Sequence, residues 1–121
     1  MLEDKIEVNT PERKYGERTS ARYAEQILKA LVHCHSHDII HRDITPVNIM
    51  ITKTDEVRII DFGLSTSKND KKTTQFAGNP LYQAPEVFEG KATTQSDMWS
   101  LGVLLYQVIS GLMPFKEKTQ A

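Results

Sequence analysis

Cys34 is the only cysteine in the sequence, so no internal disulfide can form and packing must hold the fold. A lone thiol suits a reducing compartment, and a cytoplasmic, intracellular protein is expected. Long apolar runs are missing too. The longest apolar stretch, Met98 to Met113, is broken by Ser100, Gly102, Gln107, Ser110 and Gly111, whereas a membrane span needs about 20 mostly apolar residues. It reads as a buried helix, and no membrane span is expected. The N-terminus carries Glu3 and Asp4 and lacks the apolar h-region of a signal peptide. Charge of one sign is scarce: 15 Lys and Arg stand against 16 Asp and Glu. That balance gathers neither nucleic acid nor an anionic membrane, so a partner must be recognised by a local site.

What is present fits one globular unit: 121 residues, 39% of them hydrophobic, with no internal repeat. A unit of this size has little core to spare. Residues 9–19 are polar and hold Pro11 and Gly16, which reads as a loop. Ala24, Ile27, Leu28, Leu31 and Cys34 recur at helical spacing, predicting a helix from about Ser20 to Ser36 with Thr19 or Ser20 as its cap. Ile49–Thr52 and Val57–Ile60 read as a hairpin joined by Lys53-Thr54-Asp55-Glu56. From Phe62 to Gln83 the chain is polar and reads as a long, mobile loop of the kind that is usually functional. A second long helix is predicted from about Gln95 to Ser110, with Thr94 as cap, Gly111 as stop and Pro114 beyond. Its apolar residues, Met98, Trp99, Leu101, Val103, Leu104, Leu105, Val108 and Ile109, cover nearly every side. Such a helix belongs in the middle of a domain, yet only one other long helix and a hairpin are there to surround it.

Pairing Thr52 with Val57 across the turn sets Asn48 opposite Asp61. Directly opposed residues bring their Cβ atoms to about 4.5–5.5 Å. An amide oxygen and a carboxylate then converge at the open end of the hairpin, and Asp43 can bring a second carboxylate to the same mouth. Hard oxygen ligands of this kind, completed by water and phosphate, are what Mg²⁺ prefers. The plain alternative is a hairpin with solvated polar ends.

The wider pattern is more specific. His41-Arg42-Asp43-Ile44-Thr45-Pro46-Val47-Asn48 resembles the catalytic loop of eukaryotic-type protein kinases. Asp61-Phe62-Gly63, Ala84-Pro85-Glu86 and Asp97-Met98-Trp99-Ser100-Leu101-Gly102 follow in the family's order. The sequence is similar to the serine/threonine branch, with some likeness to calcium/calmodulin-type and NIMA-related kinases. The resemblance implies an α+β, mostly α fold, that of the kinase C-terminal lobe. It would contain two long helices, a small β-hairpin and a long activation segment. It starts just after the hinge and stops just after the central helix, so residues 1–121 correspond to a partial kinase domain with the N-lobe absent.

By that likeness the chemistry is transfer of the ATP γ-phosphoryl group to a protein hydroxyl, with Mg²⁺. Asp43 would orient the hydroxyl and take its proton, and Asn48 and Asp61 would hold Mg²⁺. Met50 would pack beneath adenine, and Gly63 would let the chain turn after the metal ligand. His41 and Phe62 would stack in the apolar spine between lobes. Arg42 would answer a phosphate on the activation segment, with Thr73 or Thr74 as its acceptor because Gln75 occupies the usual position. Asp97 would bond backbone amides of the catalytic loop, while Glu86 would lack its usual arginine and stand exposed or unpaired.

Departures accompany the likeness. Thr45 replaces the usual lysine, and Asn79 replaces the usual threonine after Gly78. In the family those side chains touch the catalytic aspartate, so the two changes read as coupled. Losing a cation at the γ-phosphate costs about 10²–10³ in rate by analogy with one transition-state donor. No glycine-rich loop, strand lysine or partner-glutamate helix is present, so weak ATP affinity is expected of the isolated chain. The competing reading is a pseudokinase or truncated lobe that binds protein partners without catalysis. A third is zinc at His33 and His37, one turn apart, though His35 points elsewhere and no second ligand cluster follows.

Overall fold

The computed structural model describes residues 16–62, 64–67, 70 and 78–115. Gly63, Thr73 and Thr74 lie outside the described residues, as does the chain before Gly16. The architecture is mostly helical with two small antiparallel strand pairs. In chain order the elements are α1 (Glu17–Ser36), β1 (Ile39–Ile40), β2 (Ile49–Ile51), β3 (Val57–Ile59), β4 (Thr66–Ser67), α2 (Pro85–Phe88) and α3 (Thr94–Ser110). Single 3₁₀ turns cover Pro46–Asn48 and Pro80–Tyr82. Among the described residues no helix is long and apolar enough to cross a membrane.

Helix α1 buries Ser20, Tyr23, Ile27 and Leu31, a stripe at three- and four-residue spacing. It begins earlier than expected. Gly16 is the cap and makes no side-chain bond, so Thr19 and Ser20 lie within the helix. Ser20 faces the core, where packing outweighs its preference for a terminus. Helix α3 is capped by Thr93, one residue before the expected Thr94, through a reciprocal capping box with Ser96. Gly111 ends it in the left-handed conformation, φ 77°, as the stop requires.

The core lies where α1, α3 and the hairpin meet: Tyr23, Ile27, Leu31, Ile44, Ile49, Val57, Leu101, Leu104 and Val108. Each fully buried aliphatic side chain contributes about 1.5–3 kcal/mol relative to exposure. The other side of α3 stays open, with Met98, Trp99, Tyr106 and Ile109 exposed and Trp99 stacked on Phe115.

The hairpin register differs by one residue from the expected one. Ile49 pairs with Ile59, Met50 with Arg58 and Ile51 with Val57. Thr52 N–H donates to Glu56 C=O at 2.8 Å, so only Lys53, Thr54 and Asp55 make the connection. Asn48 consequently faces Ile60, whose N–H donates to its carbonyl at 2.8 Å, and not Asp61. The cause is Asp55, which adopts φ 67° and closes a three-residue loop of the turn-plus-left-handed type. Helix α1 supports that conformation. Arg22 and Tyr23 both donate to the Asp55 carboxylate, Tyr23 at 2.7 Å, and Gln26 Oε1 accepts from Val57 N–H at 2.7 Å.

The segment from Phe62 to Gln83 was expected to be one long loop. Its described parts instead carry structure. Ile39 and Ile40 pair with Ser67 and Thr66, and the 3₁₀ turn at Pro80 is capped by Asn79, whose Oδ1 accepts from Leu81 N–H at 3.0 Å. Two-residue strands carry too little pattern to be read in advance.

Alanine at position 55 would lose the α1 contacts and keep the left-handed backbone, whereas glycine would lose the contacts alone. Asp55→Ala is therefore expected to be less stable than Asp55→Gly by about 1 kcal/mol in urea denaturation. Equal stability would contradict the backbone account.

Candidate functional site

The site is organised by a buried carboxylate. Asp97, in the first turns of α3, is 1% exposed. Its Oδ2 accepts from His41 N–H at 2.8 Å and its Oδ1 from Arg42 N–H at 3.0 Å. His35 Nε2 lies 2.9 Å from Oδ2. Three donors on one carboxylate compensate a burial that would otherwise be costly. His35 was expected to point elsewhere than His33 and His37. It does, and its turn inward brings it to Asp97.

The loop from His41 to Asn48 is pinned along its length. His41 Nδ1 accepts from Asp43 N–H at 3.1 Å, which leaves the ring proton on Nε2, 3.1 Å from the Ile60 carbonyl. Phe62 meets the His41 ring edge-on, centroids 4.7 Å apart. Arg42 has φ 73°, and its Nε donates to the Leu64 carbonyl at 2.7 Å. Its own carbonyl accepts from Gln83 Nε2 at 2.9 Å.

Asp43 and Asn48 come together. Asn48 Nδ2 donates to the Asp43 carboxylate and to its backbone carbonyl, both at 2.8 Å. The 3₁₀ turn that Pro46 opens brings Asn48 back toward Asp43. Asp61 is exposed, with φ 58°, where the chain leaves β3. Met50 is on the hairpin's exposed side, and Thr45 is buried with a hydroxyl that finds no hydrogen-bond partner among the described residues. Thr45 and Asn79 thus do not bond to one another, since Asn79 caps the next turn instead.

Glu86 was expected to be exposed or unpaired. Instead it accepts from Ser96 Oγ at 3.1 Å, and Ser96 in turn accepts from Thr93 N–H at 3.0 Å. Glu86 is thereby joined to the α3 capping box. His33 and His37 do stand with ring centroids 4.7 Å apart, but His37 Nδ1 is 2.9 Å from the His33 carbonyl. Among the described residues, no group of three or more His, Cys, Asp or Glu is placed to hold a metal.

Two residues of this network escaped the sequence reading, His35 and Gln83. His35 sits on a helix face with no pattern to mark its target. Gln83 lies between Tyr82 and Ala84 in a segment read as loop, and amides carry no spacing signal.

A family model described as "Protein kinase domain" matches residues 2–121. The chain is 36% identical over 110 residues to "Aurora kinase B" of Drosophila melanogaster, covering 90% of this chain and 33% of the relative. It is 43% identical over 102 residues to "Aurora kinase" of Dictyostelium discoideum, covering 84% and 27%. With "NUAK family SNF1-like kinase 2" of Rattus norvegicus it shares 42% identity over 105 residues, covering 84% and 17%. The chain belongs to the protein kinase domain family and spans a third or less of these relatives' length.

Replacing Asp97 by Asn would put a donor against donors. Asp97→Asn is expected to lower stability by about 2–3 kcal/mol, read from the urea midpoint at constant slope. The Cys34 thiol gives a second test. Burial pushes its pKa up, and the nearby Asp97 charge adds to the effect. Its alkylation rate should reach half-maximum at a higher pH than a free cysteine, and the midpoint should fall in Asp97→Asn. An unmoved midpoint would argue against an electrostatic effect of Asp97 on the thiol.

Proposed function

We propose that this chain is the phosphoryl-transfer core of a serine/threonine protein kinase, acting on ATP and a protein hydroxyl. The observation that carries the reading is the pair of hydrogen bonds that Asn48 Nδ2 donates to the Asp43 carboxylate and carbonyl, in a loop held by Asp97. Membership of the protein kinase family supports it.

Asp43 is the base: its carboxylate orients the acceptor hydroxyl and receives its proton as the oxygen–phosphorus bond forms. The bond from the γ-phosphorus to the bridging oxygen breaks, and ADP leaves. Asn48 directs its amide nitrogen to Asp43, which presents Oδ1 as the atom suited to a hard cation, and Asp61 supplies a carboxylate oxygen. That donor set fits Mg²⁺. When bound, Mg²⁺ neutralises charge on the phosphates. Preorganisation is the protein's main contribution, because such transfer needs positioning more than covalent help.

The remaining assignments rest on the same reading. Met50 packs beneath adenine, and Gly63 permits the turn after Asp61. His41 and Phe62 join the spine between lobes, supported by their ring contact. Arg42 responds to phosphorylation of Thr73 or Thr74, and Thr45 stands where a lysine would meet the γ-phosphate. The protein substrate is met from the cytosol, which the single unpaired cysteine supports.

The test is Mg-ATP-dependent phosphorylation of a generic protein substrate by the polypeptide carrying this chain. Asp43→Asn should lower kcat by about 10³-fold, within the range of a lost general base, with KM for ATP little changed. Transfer at the wild-type rate would sink the assignment.

A further inference from the structure

The peptide between Arg42 and Asp43 is held at both of its polar ends. Its carbonyl oxygen, on Arg42, accepts from Gln83 Nε2 at 2.9 Å, and its N–H, on Asp43, donates to His41 Nδ1 at 3.1 Å. A peptide is planar and rigid, so these two bonds set the direction in which the chain enters Asp43. The preceding residue is strained: Arg42 has φ 73°, a conformation that a non-glycine residue keeps only where its surroundings over-determine it. Asp97 supplies a constraint at the Arg42 N–H, and Gln83 supplies one at its carbonyl.

Gln83 comes from a different part of the chain. It is 6% exposed and follows the 3₁₀ turn at Pro80–Tyr82. That turn is docked on α3 through Ser100 Oγ to the Tyr82 carbonyl at 2.6 Å, and through Tyr82 OH to Gln107 Oε1 at 2.5 Å. Gly78 completes the fit. A Cβ there would lie 2.2 Å from Gln83 Nε2 and 2.6 Å from the Arg42 carbonyl oxygen. The glycine leaves room for the amide to reach the loop.

We infer that Gln83 is a positioning residue that couples the docking of residues 78–84 to the pose of Asp43. When that segment is seated on α3, the Gln83 amide holds the Arg42 carbonyl and Asp43 points correctly. When the segment lifts, the peptide is free to rotate and the aspartate loses its aim. The inference rests on the reading of Asp43 as the base, and it adds a regulatory link between two loops.

Gln83→Met preserves length and removes the donor. Gln83→Glu is isosteric and sets a carboxylate against a carbonyl until it is protonated, when its O–H can donate again. Gln83→Met should lower kcat about tenfold, the weight of one hydrogen bond, with KM within about twofold. Gln83→Glu should be impaired at pH 8, and its rate relative to wild type should recover toward pH 6 as the buried acid takes up a proton. Hydrogen exchange at the Asp43 amide provides a readout independent of activity. It should quicken about tenfold in Gln83→Met, while core amides of α1 and α3 keep their protection and certify the fold. Unchanged Asp43 exchange in a folded Gln83→Met protein overturns the coupling, as does a Gln83→Glu-to-wild-type rate ratio that stays flat with pH. If the wild-type polypeptide transfers no phosphoryl group, the kinase reading fails alone, and the exchange measurement still decides whether Gln83 positions the loop.

Discussion

The Asp97 carboxylate is the interaction on which the rest of the site depends. It is the buried end of a helix that is itself central to the core, and it binds two consecutive backbone N–H groups of the loop. Those N–H groups belong to His41 and Arg42, the residues immediately before Asp43. A carboxylate taken out of water needs donors, and a loop with left-handed residues needs acceptors, so each requirement is met by the other. The position of Asp43 is thereby tied to α3, and α3 is tied to the packing of Leu101, Leu104 and Val108. Stability of the core and geometry of the site are one problem in this chain.

Left-handed backbone recurs along the loop and the hairpin. Arg42 and Asp61 flank the hairpin and its approach in left-handed conformations, and Asp55 sits at its tip in another. Two of them are held by side chains from elsewhere in the chain. Asp55 is held by Arg22 and Tyr23 from α1, while Arg42 is held by Asp97 from α3 and Gln83 from the turn before α2. The Arg22–Asp55 pair is about half exposed on both sides and contributes little by charge alone. Its value is geometric, because it stabilises the turn that decides which residue Asn48 faces.

The two long helices, the hairpin and the residues of the loop were readable from local pattern, while the short α2 was not. Apolar spacing carried α1 and α3 to within a few residues, and Gly111 marked the end of α3. Motif order carried the family, and the structure brought Asp43 and Asn48 together. The register was not readable, since a left-handed aspartate in place of glycine gives no warning of a three-residue connection. The strand pair β1–β4 joins residues far apart in sequence and only two residues long, too short for a period. Glu86 found Ser96 because the second partner lay in a capping box that only the folded chain brings near.

By itself, then, the sequence determined the inventory: the two long helices, the presence of a hairpin, and which acids and amides stand in the order of a kinase catalytic loop. These follow from period and spacing, which are local properties. Only the tertiary structure decided that Asn48 faces Ile60, that His35 joins Asp97, and that Gln83 grips the Arg42 carbonyl. Those contacts depend on where separate segments meet and on which buried polar atom needs a partner, and neither is written in any one stretch of chain.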